Sequence, residues 1–146
     1  MSKIIQKNVL DRELELCSNN PLTGFFRDGC CRSSPGDSGE HNICASVTRE
    51  FLNFSFRKGN NLISPRPDFN FPGLKEGDRW CICTDRWIEA FKNSCAPKII
   101  LSATNITVKK KNKSGNFKKV CIRYKLNIIF TNEKFTYNFF YKKFEL

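Results

Sequence analysis

Apolar positions come in short bursts separated by dense turn punctuation: Asn19-Asn20-Pro21, Ser33-Ser34-Pro35-Gly36-Asp37, Asn60-Asn61, Ser64-Pro65-Arg66-Pro67 and Pro72-Gly73. Proline, glycine and short polar side chains at these places favour turns over regular ladders, so the elements between them must be short. One unit reads as a strand over Asn42–Val47 and then a helix from Arg49 to about Lys58, with Thr48 as the capping side chain and Gly59 as the terminator. Its buried face is expected to carry Phe51, Leu52 and Phe54 to Phe56. A second unit repeats the design, with a strand over Arg79–Cys83, Thr84 or Asp85 as cap, and a helix to about Asn93 carrying Trp87, Ile88 and Phe91. Lys98–Ala103 reads as a third strand. Two β-then-α units around a small sheet, with long ordered loops, give the α+β class. In the segment from Pro65 to Gly77, Phe69 and Phe71 alternate among three prolines, which predicts an extended, packed loop whose aromatics plug the core.

A different pattern begins after Thr104. Val120, Ile122, Tyr124, Leu126, Ile128 and Phe130 alternate with mostly polar partners, and Phe135, Tyr137, Phe139 and Tyr141 repeat the alternation, which is strand periodicity. Ile106–Lys110 reads as a further strand ahead of them. Turn chemistry moves the other way, since all six Pro and seven of the eight Gly lie before residue 105. Charge follows the same break: residues 1–104 hold 14 Lys and Arg against 12 Asp and Glu, and residues 105–146 hold 11 against 2. Of the net charge of +11, nine therefore belong to the tail and two to the rest, and the expected division is a cysteine-rich α+β domain over 1–104 and a Lys/Asn/Phe-rich basic tail over 105–146. The tail has three readings: a disordered extension read through from AT-rich sequence, a β-meander, or a nucleic-acid surface. Nucleic acid is expected to bind weakly at most, because no recognised motif aims the tail's charge at bases.

With 146 residues the chain has room for one domain core, and 40% hydrophobic against 27% charged residues is the balance of a soluble globular protein. It contains no apolar run of about 18 residues and no signal-like start, so the expectations are a cytoplasmic location and no membrane partner.

Eight cysteines, at 17, 30, 31, 44, 81, 83, 95 and 121, are many for such a protein, because disulfides are not the default in a reducing compartment. As reactive thiols, Cys30 and Cys31 lie near Arg27, and Cys83 just precedes a helix N-terminus, an arrangement that favours thiolate. As metal ligands, Cys30, Cys31, His41, Cys44, Cys81 and Cys83 offer enough sulfur and imidazole for zinc, although no C-x₂-C knuckle is present. As plain core residues they are small hydrophobes, and on a strand Cys81 and Cys83 share one face. His41 by itself reads as a loop hydrogen-bonder. The mixed-charge pairs Arg27-Asp28 and Asp78-Arg79 flank the cysteine clusters, where they serve as structural ion pairs or as ligand contacts. Trp80 and Trp87 read as core anchors, with Trp80 also placed to wall a pocket beside Cys81. Walker-type, Gly-x-Gly-x-x-Gly and Gly-x-Ser-x-Gly motifs are missing, which argues against the common nucleotide and hydrolase classes.

Several multi-residue blocks carry a resemblance: Asn8-Val9-Leu10, Asn20-Pro21-Leu22-Thr23-Gly24-Phe25-Phe26-Arg27-Asp28-Gly29-Cys30-Cys31, Pro65-Arg66-Pro67, Phe71-Pro72-Gly73-Leu74-Lys75 and Gly77-Asp78-Arg79-Trp80-Cys81-Ile82-Cys83. In order and approximate spacing they resemble the domain-of-unknown-function 2237 family of small, mainly bacterial proteins, over roughly residues 8–104. The resemblance implies a compact single-domain intracellular protein in which Arg27, Asp28, Cys30, Cys31, Cys44, Asp78, Arg79, Trp80, Cys81 and Cys83 occupy motif positions. It also implies a His-Glu and a short helix after the third strand, whereas here Asn105-Ile106-Thr107 opens the Lys-rich stretch, so the chain is expected to depart from the family after Thr104. The expected site is lined by cysteines from the Gly29-Cys30-Cys31 loop and the Cys81-x-Cys83 strand, and serves thiol chemistry or ligand binding. Cys30, Cys31 and Cys83 are its candidate catalytic thiols, and Arg27, Asp28, Asp78, Arg79 and Trp80 its candidate ligand contacts. The alternatives are a zinc-binding or structural module and a basic-tail nucleic-acid binder.

Overall fold

The computed structural model describes residues 5–111. Its centre is β1, Ile43–Ser46, in which Ile43, Cys44 and Ala45 are all buried because both faces of the strand are covered. On one side it pairs antiparallel with β2, Arg79–Ile82, in the register Ile43↔Ile82, Cys44↔Cys81, Ala45↔Trp80 and Ser46↔Arg79. On the other it pairs antiparallel with the short β3, Lys98–Ile99, through Ala45↔Ile99 and Ser46↔Lys98. The sheet order is thus β2-β1-β3, and the domain is α+β as its sequence pattern predicts. The expected third strand stops at Ile99; Leu101–Ala103 form a 3-10 turn that buries Leu101 and Ala103.

Helix α1, Arg49–Arg57, starts where Thr48 accepts a hydrogen bond from Phe51 N–H and ends where Gly59 takes φ +80°. Phe51, Leu52 and Phe54 are buried, as their helical spacing requires, but Phe56 points to solvent and Ser55 takes its expected place in the core. The Ser55 hydroxyl donates to Asn60 O and accepts from Asn60 Nδ2, so the interior of this turn is polar and satisfied. Helix α2, Thr84–Lys92, has Cys83 rather than Thr84 or Asp85 at its N-cap. Thr84 is engaged elsewhere, since its hydroxyl and its N–H both donate to Glu40 O, which ties the helix to the loop before β1. Trp87 anchors α2 through Nε1–H to Pro97 O, and stacks on Phe91 at the helix edge.

The connection through Pro65–Gly77 is tighter than an extended loop. It contains a 3-10 turn, Pro67–Phe69, closed by an Arg66↔Phe71 bridge. That turn splits the two aromatics, with Phe71 buried against Trp80 and Phe69 exposed rather than plugging the core.

Irregular backbone before β1 is held by buried side chains instead of ladders. Asn8 is fully buried; its Nδ2 donates to Glu13 O and Ser102 O, and its Oδ1 accepts from Leu10 and Arg12 N–H. Thr23 Oγ1 accepts from Cys81 N–H, and Thr104 Oγ1 from Cys44 N–H, so β1 and β2 each have one amide served by a distant threonine. Packing continues past Thr104. Asn105 is buried and donates to Gln6 Oε1 and Cys31 O, Val108 is buried, and Val108–Lys111 form a short helix, α3, where a strand over Ile106–Lys110 was expected. The predicted alternations at Val120–Phe130 and Phe135–Tyr141 lie outside the described residues.

Candidate functional site

The long N-terminal loops deliver two cysteines to the sheet. Cys17 is bridged to Cys44 on β1 and Cys31 to Cys81 on β2, with Cα separations of 5.7 and 5.3 Å. Because Cys44 and Cys81 face each other across the strand pair, the two bridges form one buried sulfur cluster, packed with Ala103 and Ile100. The expectation of unbridged cysteines is corrected here: Cys31, Cys44 and Cys81 are cross-linked and closed to solvent. The bridges span 27 and 50 residues of chain, worth roughly 3.5 and 4 kcal/mol if their effect is loop-closure entropy in the unfolded chain. A loop-rich domain of this size, with few regular elements, has need of such cross-links.

Over this cluster lies a cleft of about 390 Å³, with Cys81 in its wall. Phe25, Phe69, Phe71 and Trp80 give it apolar faces, and Arg27, Arg66 and His41 give it polar ones. The Arg27 guanidinium sits over the Trp80 ring at 5.2 Å, and that of Arg66 over Phe69 at 4.9 Å. Among the described residues neither arginine makes an ion pair; Arg27 donates only to Leu22 O. Arg27 holds this position from φ +53°, a backbone region that costs a non-glycine residue about 1–2 kcal/mol and that clusters at functional sites. Gly24 beside it has φ +94°, and a Cβ there would stand 2.4 Å from Cys30 O, so only glycine fits.

His41 enters the cleft from a loop organised by one carboxylate. Asp37, whose side chain is 2% exposed, accepts from Gly39 N–H, His41 N–H and, at 2.7 Å, His41 Nδ1. An ionised carboxylate only accepts, so Nδ1 carries a proton and Nε2 is the ring nitrogen left for the cleft. Gly39 leaves room for the ring, since a Cβ there would meet His41 Cε1 at 2.5 Å. His41 is a loop hydrogen-bonder as expected, and also a buried-carboxylate dyad that its sequence neighbours do not announce.

The other candidates are placed differently. Asp28 does not pair with Arg27; it holds Arg32 at 2.6 Å and accepts from Cys30 N–H, and its carboxylate raises the pKa of Arg32. Asp78 accepts from Lys75 N–H and Arg79 is exposed at the sheet edge, so the second expected ion pair is also absent and neither residue lines the cleft. Cys83 does not share a face with Cys81: β2 ends at Ile82, Cys81 is buried and Cys83 is half-buried at the start of α2. Cys30 is half-buried with its thiol in contact with Arg32, and Cys95 is a buried thiol whose pKa is raised by burial and then by Glu50 and Glu89. The structure thus joins Arg27, Trp80, Cys81 and His41, and adds Arg66, Asp37 and Phe25. Of the proposed metal set it gathers Cys31, Cys44 and Cys81, with Cys17 in addition.

Residues 7–120 match the domain-of-unknown-function 2237 family, described as "uncharacterized protein conserved in bacteria", and the chain belongs to that family. The match passes Thr104, so the expected departure there is corrected, in keeping with buried Asn105 and Val108. No curated protein matches the chain. Among the described residues no helix is long and apolar enough to cross a membrane.

Proposed function

For this member of the family we propose that the cleft over the Cys31–Cys81 bridge binds a small anion with a planar body, such as an aryl carboxylate or aryl phosphate. One observation carries the reading: Arg27 and Arg66 lie against aromatic faces in the same cleft, and among the described residues neither has a carboxylate partner. A guanidinium stacked on a ring has its fork edge free for bidentate contact with an anion, while the neighbouring ring faces accept a flat apolar body. His41, with Nδ1–H held by Asp37, presents Nε2 as an acceptor for a ligand hydroxyl beside the anionic group. Arg27 and Trp80 are then the ligand contacts among the sequence candidates. Calorimetric titration of the protein with 1-naphthoate and phenyl phosphate tests the reading. We expect micromolar to low-millimolar binding that Arg27→Gln and Arg66→Gln each weaken about tenfold. Undetectable binding of both probes, or binding indifferent to both substitutions, would overturn it.

A second reading is thiol chemistry at Cys30, favoured by the Arg32 guanidinium beside its sulfur. In it Cys83 is the other accessible candidate, and Cys31 contributes only when its bridge to Cys81 is open.

A further inference from the structure

We propose that Cys17, Cys31, Cys44 and Cys81 are a redox-gated metal site: bridged in pairs when oxidised, and a closed tetrathiolate for one Zn²⁺ when reduced. The four come from two loops and two neighbouring strands, yet meet in a single buried cluster. The sulfurs of Cys17, Cys31 and Cys81 lie within 4.8 Å of one another although Cys17 belongs to a different bridge, and Cys44 is bonded to Cys17. A tetrahedral zinc with Zn–S near 2.3 Å sets its sulfurs about 3.8 Å apart. Reaching that spacing asks the sulfurs of Cys17, Cys31 and Cys81 to draw in by up to about 1 Å, that of Cys44, which lies outside this group of three, to swing further in, and each opened bridge to widen, movements that side-chain rotation supplies. Burial of all four sulfurs leaves no open coordination position for water, which is the form of a structural rather than a catalytic zinc site.

Each bridge takes two electrons and two protons from a dithiol reductant, which leaves as its own cyclic disulfide. The four thiols then release four protons to solvent as they bind one Zn²⁺. Reduction alone removes two long-range cross-links from a loop-rich core; the metal restores a four-way one, so the same fold persists in reducing and in oxidising surroundings. Reoxidation by a disulfide reverses the steps and expels the ion.

The test uses the full chain, reduced with dithiothreitol and freed of it without air, then titrated with CoCl₂ and afterwards with ZnCl₂. We expect one Co²⁺ per chain with the visible band of a tetrahedral tetrathiolate, displaced by an equal amount of zinc, and no such band in the oxidised protein. A variant with Cys30, Cys83, Cys95 and Cys121 all changed to Ser should give the same band. Because that variant could be poorly folded, a second measurement follows thermal unfolding of the reduced wild type, where added Zn²⁺ should raise the midpoint by at least about 10 °C. Absence of the band in reduced wild type, a spectrum of fewer than four sulfurs, loss of the band in a folded four-serine variant, or a midpoint unmoved by zinc would overturn the proposal.

Discussion

Replacing Asp37 by Ala removes the acceptor for three donors at once: Gly39 N–H, His41 N–H and His41 Nδ1–H. The carboxylate is almost wholly buried and its donors only partly so, which decides the magnitude. A hydrogen bond to a charged group is worth about 1.5–3 kcal/mol, but exposed donors regain water, so the net loss should be about 3 kcal/mol rather than the full sum. For a domain of this size that is a fall of roughly 10–15 °C in unfolding midpoint. His41→Ala removes only one of the three bonds and leaves Asp37 with two backbone donors, so it should cost about 1 kcal/mol. Urea unfolding of the two single variants and the double variant measures both, and the double should cost little more than Asp37→Ala alone. If His41→Ala destabilises as much as Asp37→Ala, the carboxylate is not what organises this loop, and the account of the dyad fails.

Gly24→Ala should destabilise by at least about 2 kcal/mol, since the new Cβ meets Cys30 O from a positive φ; a melting point unchanged from wild type would refute the close approach. A chain ending at Lys111 should fold, whereas one ending at Thr104 loses Asn105 and Val108 and should unfold several degrees lower in a thermal melt. Peptide-resolved alkylation of oxidised protein at neutral pH should label Cys30 and Cys83 well ahead of Cys95. The raised pKa of Cys95 fixes a sign as well: the thiol ionises more readily unfolded than folded, so its share of stability is full below 9.0 and declines as pH rises above it. Cys95→Ala should flatten that decline in urea-unfolding measurements, and an unchanged slope would count against it.

Elements with local causes are readable from the sequence. Thr48 and Gly59 mark the ends of α1 because capping and a left-handed terminator are properties of single residues, and Cys44 and Cys81 fall on strands because those strands are apolar runs between turns. Lys98–Ala103 is strand only in its first two residues because an apolar run alone does not tell a strand from a 3-10 turn, and β3 is held only by pairing to β1. The bridges are not legible, since Cys17–Cys44 and Cys31–Cys81 join residues remote in sequence and spacing alone allows any partner. The cleft is half legible. Arg27 and Trp80 stand out beside the cysteines, whereas Arg66 and Asp37 show only as members of turn clusters, with nothing local to say that they meet the cysteine site, which they reach through turns at Pro67 and Gly39. The expected Arg27-Asp28 pair fails for a physical reason: Arg27 takes positive φ and turns to Trp80, which leaves Asp28 to Arg32.

Amide chemical-shift mapping during titration with 1-naphthoate shows residue by residue whether this cleft is the binding site. Saturable shifts are expected, confined to Gly24, Phe25, Arg27, His41, Arg66 and Trp80, with the Trp80 indole N–H among the largest. Shifts concentrated instead at the groove lined by Glu50, Arg57 and Cys95, or no saturable shift at all, would contradict it.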